Sequence, residues 1–473
     1  MKPIQIAPSS NTTSDGRLFG GFPWVSAIIC YSLSWSFLLV RPNTLYWDDW
    51  RDIYALPKRN LANLKIDMGL PPWNTYFESY LFQDFAWIIR VFTFISFFVV
   101  ILLIFELAKQ TFNFGYLELK YLILLTAVVP VNHARASLVV TDYTTSYLVF
   151  FIAWLLIVKT QSNLAFISAW LIFFWAMKLN SLMFFLILPI TNYLFVSIMK
   201  DTRSLEKSIL KATCLAAIVP TYLLSRRLFW SPLTQYQPYN SPAFISGLRG
   251  LILFAPAIVA TILIFLINKS IKNRDLQLKS ILFIGIGLWS TALALFPYII
   301  SDNLDRYMFS FDIGWQSRHL MLTPLGISFV IMGLSQIVSK SKHSLAKLSI
   351  VFFISLNFFV GSQYYLQATQ QEEVVELLKT NRIKESISEF VDETPQFKGR
   401  GARYEEYEFF GMLKMAGYEY PRTVGYKYVC KAAPEGVRLT LKSDVTFLQG
   451  LRTRQLGTYF EITPCSKVLA TEN

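Results

Sequence analysis

The 473 residues are 53% hydrophobic and 16% charged, with a mean hydropathy of +0.40, which excludes an ordinary soluble protein, where about a quarter of residues carry charge. The net charge of +13 gathers in short loops between hydrophobic segments, and no basic-aromatic surface is left for nucleic acid. Four cysteines without metal-ligand spacing exclude a zinc module.

In chain order, residues 1–20 are polar and are expected to form a disordered cytoplasmic N-terminus. Phe22 to Val40 is hydrophobic and lacks a small-x-small cleavage site before Arg41-Pro42, so it reads as a retained signal anchor. About eleven hydrophobic spans follow from hydropathy: 22–41, 85–107, 119–136, 143–159, 163–178, 180–198, 208–226, 248–268, 280–300, 319–338 and 345–363. The fold class is therefore an all-α polytopic membrane domain over 21–363.

Alternate loops separate by charge. Lys109 and Lys120, Lys159, Lys200 to Lys211, Lys269 to Lys279, and Lys340 to Lys347 form one set. The positive-inside rule makes that set cytoplasmic. The other set, 42–84, 132–142, 227–247, 301–318 and the tail, is then outside. Both N-x-S/T sequons, at Asn11 and Asn268, fall on the cytoplasmic side, which is compatible with a bacterial inner membrane.

The first outer loop, 42–84, is too long for a connector. Ile53, Leu56, Leu61 and Leu64 sit near helical spacing, and Trp73, Tyr76, Phe77 and Tyr80 recur at i, i+3, i+4 and i+7. Such a stripe is either an interfacial anchor or one wall of a groove for a lipid substrate. After 364 the composition changes. A helix is expected to continue through Glu372–Leu378, with helical patterns near 382–391 and 403–416 and β-rich runs at 423–429, 437–441 and 458–462. That predicts a small α+β extracytoplasmic domain over 364–473. Cys30 and Cys214 read as packing residues, whereas Cys430 and Cys465 can pair if the tail meets an oxidising compartment.

Ionisable residues crowd the outer side. The first loop supplies Asp48, Asp49, Asp52, Glu78 and Asp84; the second, His133, Arg135 and Asp142; the loop before the tenth span, Asp305, Arg306, Arg318 and His319. Acids beside bases at one membrane face suit general-base catalysis next to an anionic leaving group. Each has a plainer reading. Asp48 and Asp49 can cap a helix, Asp142 can do the same, Arg318-His319 can pair lipid headgroups, and Lys178 can snorkel.

An acidic pair just after the first span, Asp48-Asp49 in Tyr46-Trp47-Asp48-Asp49-Trp50, resembles the GT-C superfamily of integral-membrane glycosyltransferases. The arrangement looks most like bacterial O-antigen glucosyltransferases and, more distantly, protein mannosyltransferases and aminoarabinose transferases. The resemblance implies a polyprenyl-phosphate-linked sugar donor, a glycan, lipid or protein acceptor, and a role in the cell envelope such as lipopolysaccharide modification. Asp49, ranked first, or Asp48 then takes the acceptor proton. Asp142, Arg135, His133, Lys178, Arg306, Arg318, His319, Glu78, Trp73 and Tyr76 are the substrate-binding candidates. Asp48, Asp49 and Asp142 offer oxygen ligands for a divalent cation, but a monophosphate donor needs little neutralisation, so no cofactor is expected. The alternatives are a flippase or a polymerase of lipid-linked glycans. A flippase would place ionisable groups near the midplane, often in repeated halves.

Overall fold

The computed structural model describes residues 18–55, 58–67, 70–72, 75, 86–112, 114–160, 162–199, 205–231, 274–300, 315–338, 343–380, 387–392, 406–417, 437–441 and 460–472. Among them six helical stretches are long and apolar enough to cross a membrane: Ala86–Thr111, Leu138–Lys159, Ser181–Ile198, Leu205–Phe229, Lys279–Ile299 and Ser344–Thr369. Trp24–Trp35, Asn163–Ala176 and Thr323–Val338 are shorter apolar helices. The chain is a helical, multi-pass membrane protein. The hydrophobic segment 248–268 and the aromatic stripe of the first loop, with Trp73, Tyr76 and Glu78, lie outside the described residues, as does Arg306.

The first hydrophobic segment divides at Ser36 into α1 (Trp24–Trp35) and α2 (Phe37–Val40). A short helix α3 (Asp48–Trp50) runs into a wide turn, Arg51–Ala55, and then α4 (Lys58–Asp67). The long α5 (Ala86–Thr111) and α6 (Tyr116–Val128) follow. Helix α6 stops short of the span expected over 119–136, because Pro130 disfavours helical backbone in the residue before it. Its buried terminal carbonyls are answered by side chains: the Trp35 indole donates to Ala127 O (2.8 Å) and Asn357 Nδ2 to Val128 O (2.7 Å). Two 3₁₀ turns, His133–Ala136 and Leu138–Val140, then thread the interior before α7 (Thr141–Lys159).

Next come α8 (Asn163–Ala176), α9 (Ser181–Phe185), α10 (Ile187–Met199), α11 (Leu205–Ala216) and α12 (Ile218–Phe229). Among the described helices, α13 (Arg274–Ile300) and α14 (Thr323–Val338) share the most extensive contact. Small residues allow it: a Cβ built on Gly287 would lie 2.6 Å from Gly326 O. Finally α15 (Ser344–Thr380) extends 37 residues without interruption, and its Glu372 carboxylate holds Arg41 at 2.6 Å.

Beyond α15 the described residues form a three-stranded sheet of order β1-β2-β3, with strands β1 (Ile387–Asp392), β2 (Val437–Leu441) and β3 (Phe460–Pro464). Strand β1 pairs parallel with β2, and β2 antiparallel with β3. The helix expected near 382–391 is not formed over 387–391, which lie in β1, and 382–386 are outside the described residues. A register shift between Ile387 and Glu389 breaks the two-residue alternation that would mark a strand. Helix α16 (Glu406–Met415) falls between β1 and β2 in sequence, and α17 (Cys465–Glu472) follows β3. Cys465 is disulfide-bonded, and Cys30 and Cys214 are free; Cys430 lies outside the described residues.

Candidate functional site

Charged groups gather at the two ends of the bundle. Arg90 and Glu106 stand sixteen positions apart on α5, about 24 Å along the axis at 1.5 Å per residue. At the Glu106 end, its carboxylate accepts the Phe19 amide (2.7 Å), and Glu118 holds Lys279 (2.5 Å) and Gln336 Nε2 (3.0 Å). The Arg90 end carries the acidic pair.

There Asp49 is wholly buried. Its Oδ1 accepts the Ser137 hydroxyl (2.6 Å) and the amides of Leu138 (2.8 Å) and Val139 (3.1 Å). Its Oδ2 accepts the Tyr46 amide (3.0 Å) and lies 3.9 Å from Arg90 Nη2. The carboxylate thus caps the turn Leu138–Val140 and ties the first loop to it. Burial pushes the Asp49 carboxyl up to about 6, against the pull of Arg90 and of its hydrogen bonds. Arg90 also donates to Thr44 O and lies over the Tyr46 ring (4.9 Å). Asp48, beside it, is half-buried. Asp52 is buried one turn on.

Three residues past Val139, Asp142 opens α7. Its Oδ1 meets Lys178 Nζ at 2.9 Å and its Oδ2 meets Lys65 Nζ, from α4, at 3.7 Å. Lys178 also lies 4.2 Å over the Trp175 ring. Asp48, Asp49, Asp142, Lys65, Lys178 and Arg90 therefore stand at one end of the bundle, linked through residues 137–142.

His133 and Arg135 are turned inward. His133 Nε2 pairs with Asn357 Oδ1 (2.9 Å). The Arg135 guanidinium lies between the Trp35 and Phe97 rings (3.7 and 3.8 Å) and donates to Asn132 O (3.0 Å). Both brace the interior turn. Arg318 and His319 sit buried in the 3₁₀ turn Trp315–Leu320. That turn packs against His133–Ala136, with the Ala134 amide donating to Ser317 Oγ (2.9 Å). Arg318 Nη1 donates to Gln316 Oε1 (3.3 Å), and the His319 ring is 4.2 Å from that of Tyr298.

The sequence reading passed over Arg90, Lys65, Ser137 and Glu408. Arg90 carries a signal that could have marked it: a cation inside an apolar span is costly and demands a partner. Glu408 has no such local mark. It is buried in α16, and its Oε1 accepts the Trp47 amide (2.9 Å), 361 residues away. Among the described residues no three His, Cys, Asp or Glu side chains converge to hold a metal ion. Comparison with protein-family models, curated proteins and solved structures gave no match.

Proposed function

We propose that the protein is a glycosyltransferase that moves a sugar from a polyprenyl-phosphate-linked donor to an acceptor hydroxyl at the outer face of a bacterial inner membrane. The carrying observation is the assembly of Asp48, Asp49 and Asp142 with Arg90, Lys65 and Lys178 at one end of the bundle. In this reading the acceptor oxygen attacks the anomeric carbon as the bond to the phosphate oxygen breaks. The hydroxyl proton passes to a carboxylate, and the negative charge stays on the departing lipid phosphate.

This reading reverses the order of the acidic pair. Both Asp49 oxygens accept hydrogen bonds within a fully buried turn, which supports a positioning role for Asp49, and the proton is assigned to Asp48, which is only half-buried. Lys65, Lys178 and Arg318 are the cations assigned to the lipid phosphate, and Asp142 sets the two lysines. The tail forms an α+β extracytoplasmic domain in the same reading, which its disulfide-bonded Cys465 supports. So does the charge asymmetry of the loops, which places the Arg90 end outside.

The test uses purified protein in nanodiscs with a panel of radiolabelled polyprenyl-phosphate hexoses and cell-envelope acceptors. Asp48→Asn is expected to lower transfer at least about 100-fold, the lower range for a lost general base, with expression retained. Full transfer by Asp48→Asn sinks the assignment. Movement of labelled glycolipid between leaflets without a new glycosidic bond would establish a flippase instead.

A further inference from the structure

The helix α16 touches the acidic segment at three points. At the start of the segment, Glu408 Oε1 accepts the Trp47 amide at 2.9 Å. At its end, Lys414 Nζ donates to Tyr54 O at 2.7 Å. Between them, Gly411 lies against the Trp50 indole, where an added Cβ would stand 2.7 Å from Cε3 and 3.3 Å from the Trp50 Cβ. Spaced by three, Glu408, Gly411 and Lys414 lie within an arc of about 120° on the helix.

The chemistry of these contacts is complementary. The segment Asp48–Trp50 and Arg51–Ala55 presents the Trp47 N–H to α16 at its start and the Tyr54 carbonyl near its end. A carboxylate meets the first and an ammonium the last, the pairing that a helical dipole favours. Trp47 has φ +51°, a left-handed conformation that is unfavourable for a non-glycine residue. The bond from buried Glu408 holds the backbone there, and Trp47 directly precedes Asp48.

We infer that Glu408 and Gly411, assisted by Lys414, are positioning residues: helix α16 clamps Trp47–Ala55 so that Asp48 stays aimed while Asp49 remains locked to Ser137–Val139. The catalytic half of this inference rests on the transfer reading above; the clamp itself does not. It makes the tail a working part of the site.

Hydrogen exchange of the full chain in nanodiscs tests the clamp without reference to activity. Glu408→Leu removes the acceptor, Gly411→Ala pushes on Trp50, and Glu408→Gln keeps an acceptor. The first two are expected to raise amide exchange across 45–55 by about tenfold or more, as local opening becomes easier. Glu408→Gln should stay near wild type, and α7 peptides should be unchanged in all three, which controls for misfolding. In the transfer assay Glu408→Leu should lower kcat with KM for the donor little altered, and Glu408→Gln should rescue it. Unchanged exchange in both disruptive variants overturns the clamp. Raised exchange with an unaltered kcat overturns its positioning role. If the wild type transfers no sugar, the functional reading fails, and the exchange data still decide the clamp.

Discussion

Asp49 receives four hydrogen bonds on two oxygens, and every one comes from a donor. An amide at this position would present an N–H to at least one of those donors. Asp49→Asn is therefore expected to cost about 1–3 kcal/mol, the range for leaving buried groups unmatched, read as a lower thermal midpoint in detergent. Asp48→Asn, half-exposed, should stay within about 0.5 kcal/mol of wild type. The difference between wild type and Asp49→Asn should also depend on pH. The folded carboxyl titrates near 6, above its ordinary 3.8, so the folded state binds the proton more tightly than the unfolded chain. That contribution is complete below 3.8 and is lost as pH rises through about 6. The stability gap should widen from pH 7 to pH 5; a flat gap would show that the carboxyl does not titrate in this range. The acidic pair stood out in the sequence, but which member is buried did not. That division depends on Ser137 and Leu138, 88 and 89 positions away.

At the scale of elements, the α13–α14 contact depends on glycines that differ sharply in their surroundings. A Cβ at Gly326 would strike Thr291 Oγ1 and lie 2.7 Å from Gly287 O, whereas Gly285 has nothing within 4 Å. Gly326→Ala should lower stability by about 1–3 kcal/mol, the usual cost of overpacking. Gly285→Ala should be neutral or add up to about 1 kcal/mol through helix propensity. Thermal unfolding of both variants in one detergent checks the contrast, and equal midpoints would refute the packing argument. Long apolar runs such as Ala86–Thr111 were readable because the signal lies within the element. The end of α6 at Val128 and the strand Ile387–Asp392 were not. The first depends on Trp35 and Asn357 reaching in from distant helices, and the second on pairing with β2 across a shifted register.

For the whole molecule, the charge of the loops predicts an orientation that single cysteines can read, in a Cys30→Ser, Cys214→Ser background. Ser344→Cys should react with a membrane-impermeant maleimide only after permeabilisation, and Lys467→Cys in intact cells; the reverse pattern would invert the topology. The membrane class was legible because burial in lipid constrains every span separately. The union of tail and first loop was not, since Trp47 and Glu408 meet only when the whole bundle is assembled. That union has a consequence in the 37 residues of α15. At 1.5 Å per residue they measure about 55 Å, against a hydrocarbon thickness of about 30 Å. The surplus is a rigid gauge that fixes both the height and the phase at which the chain re-emerges toward the site. Two inserted residues would swing everything beyond by about 200°, and seven would restore the phase to within about 20° while raising it about 10 Å.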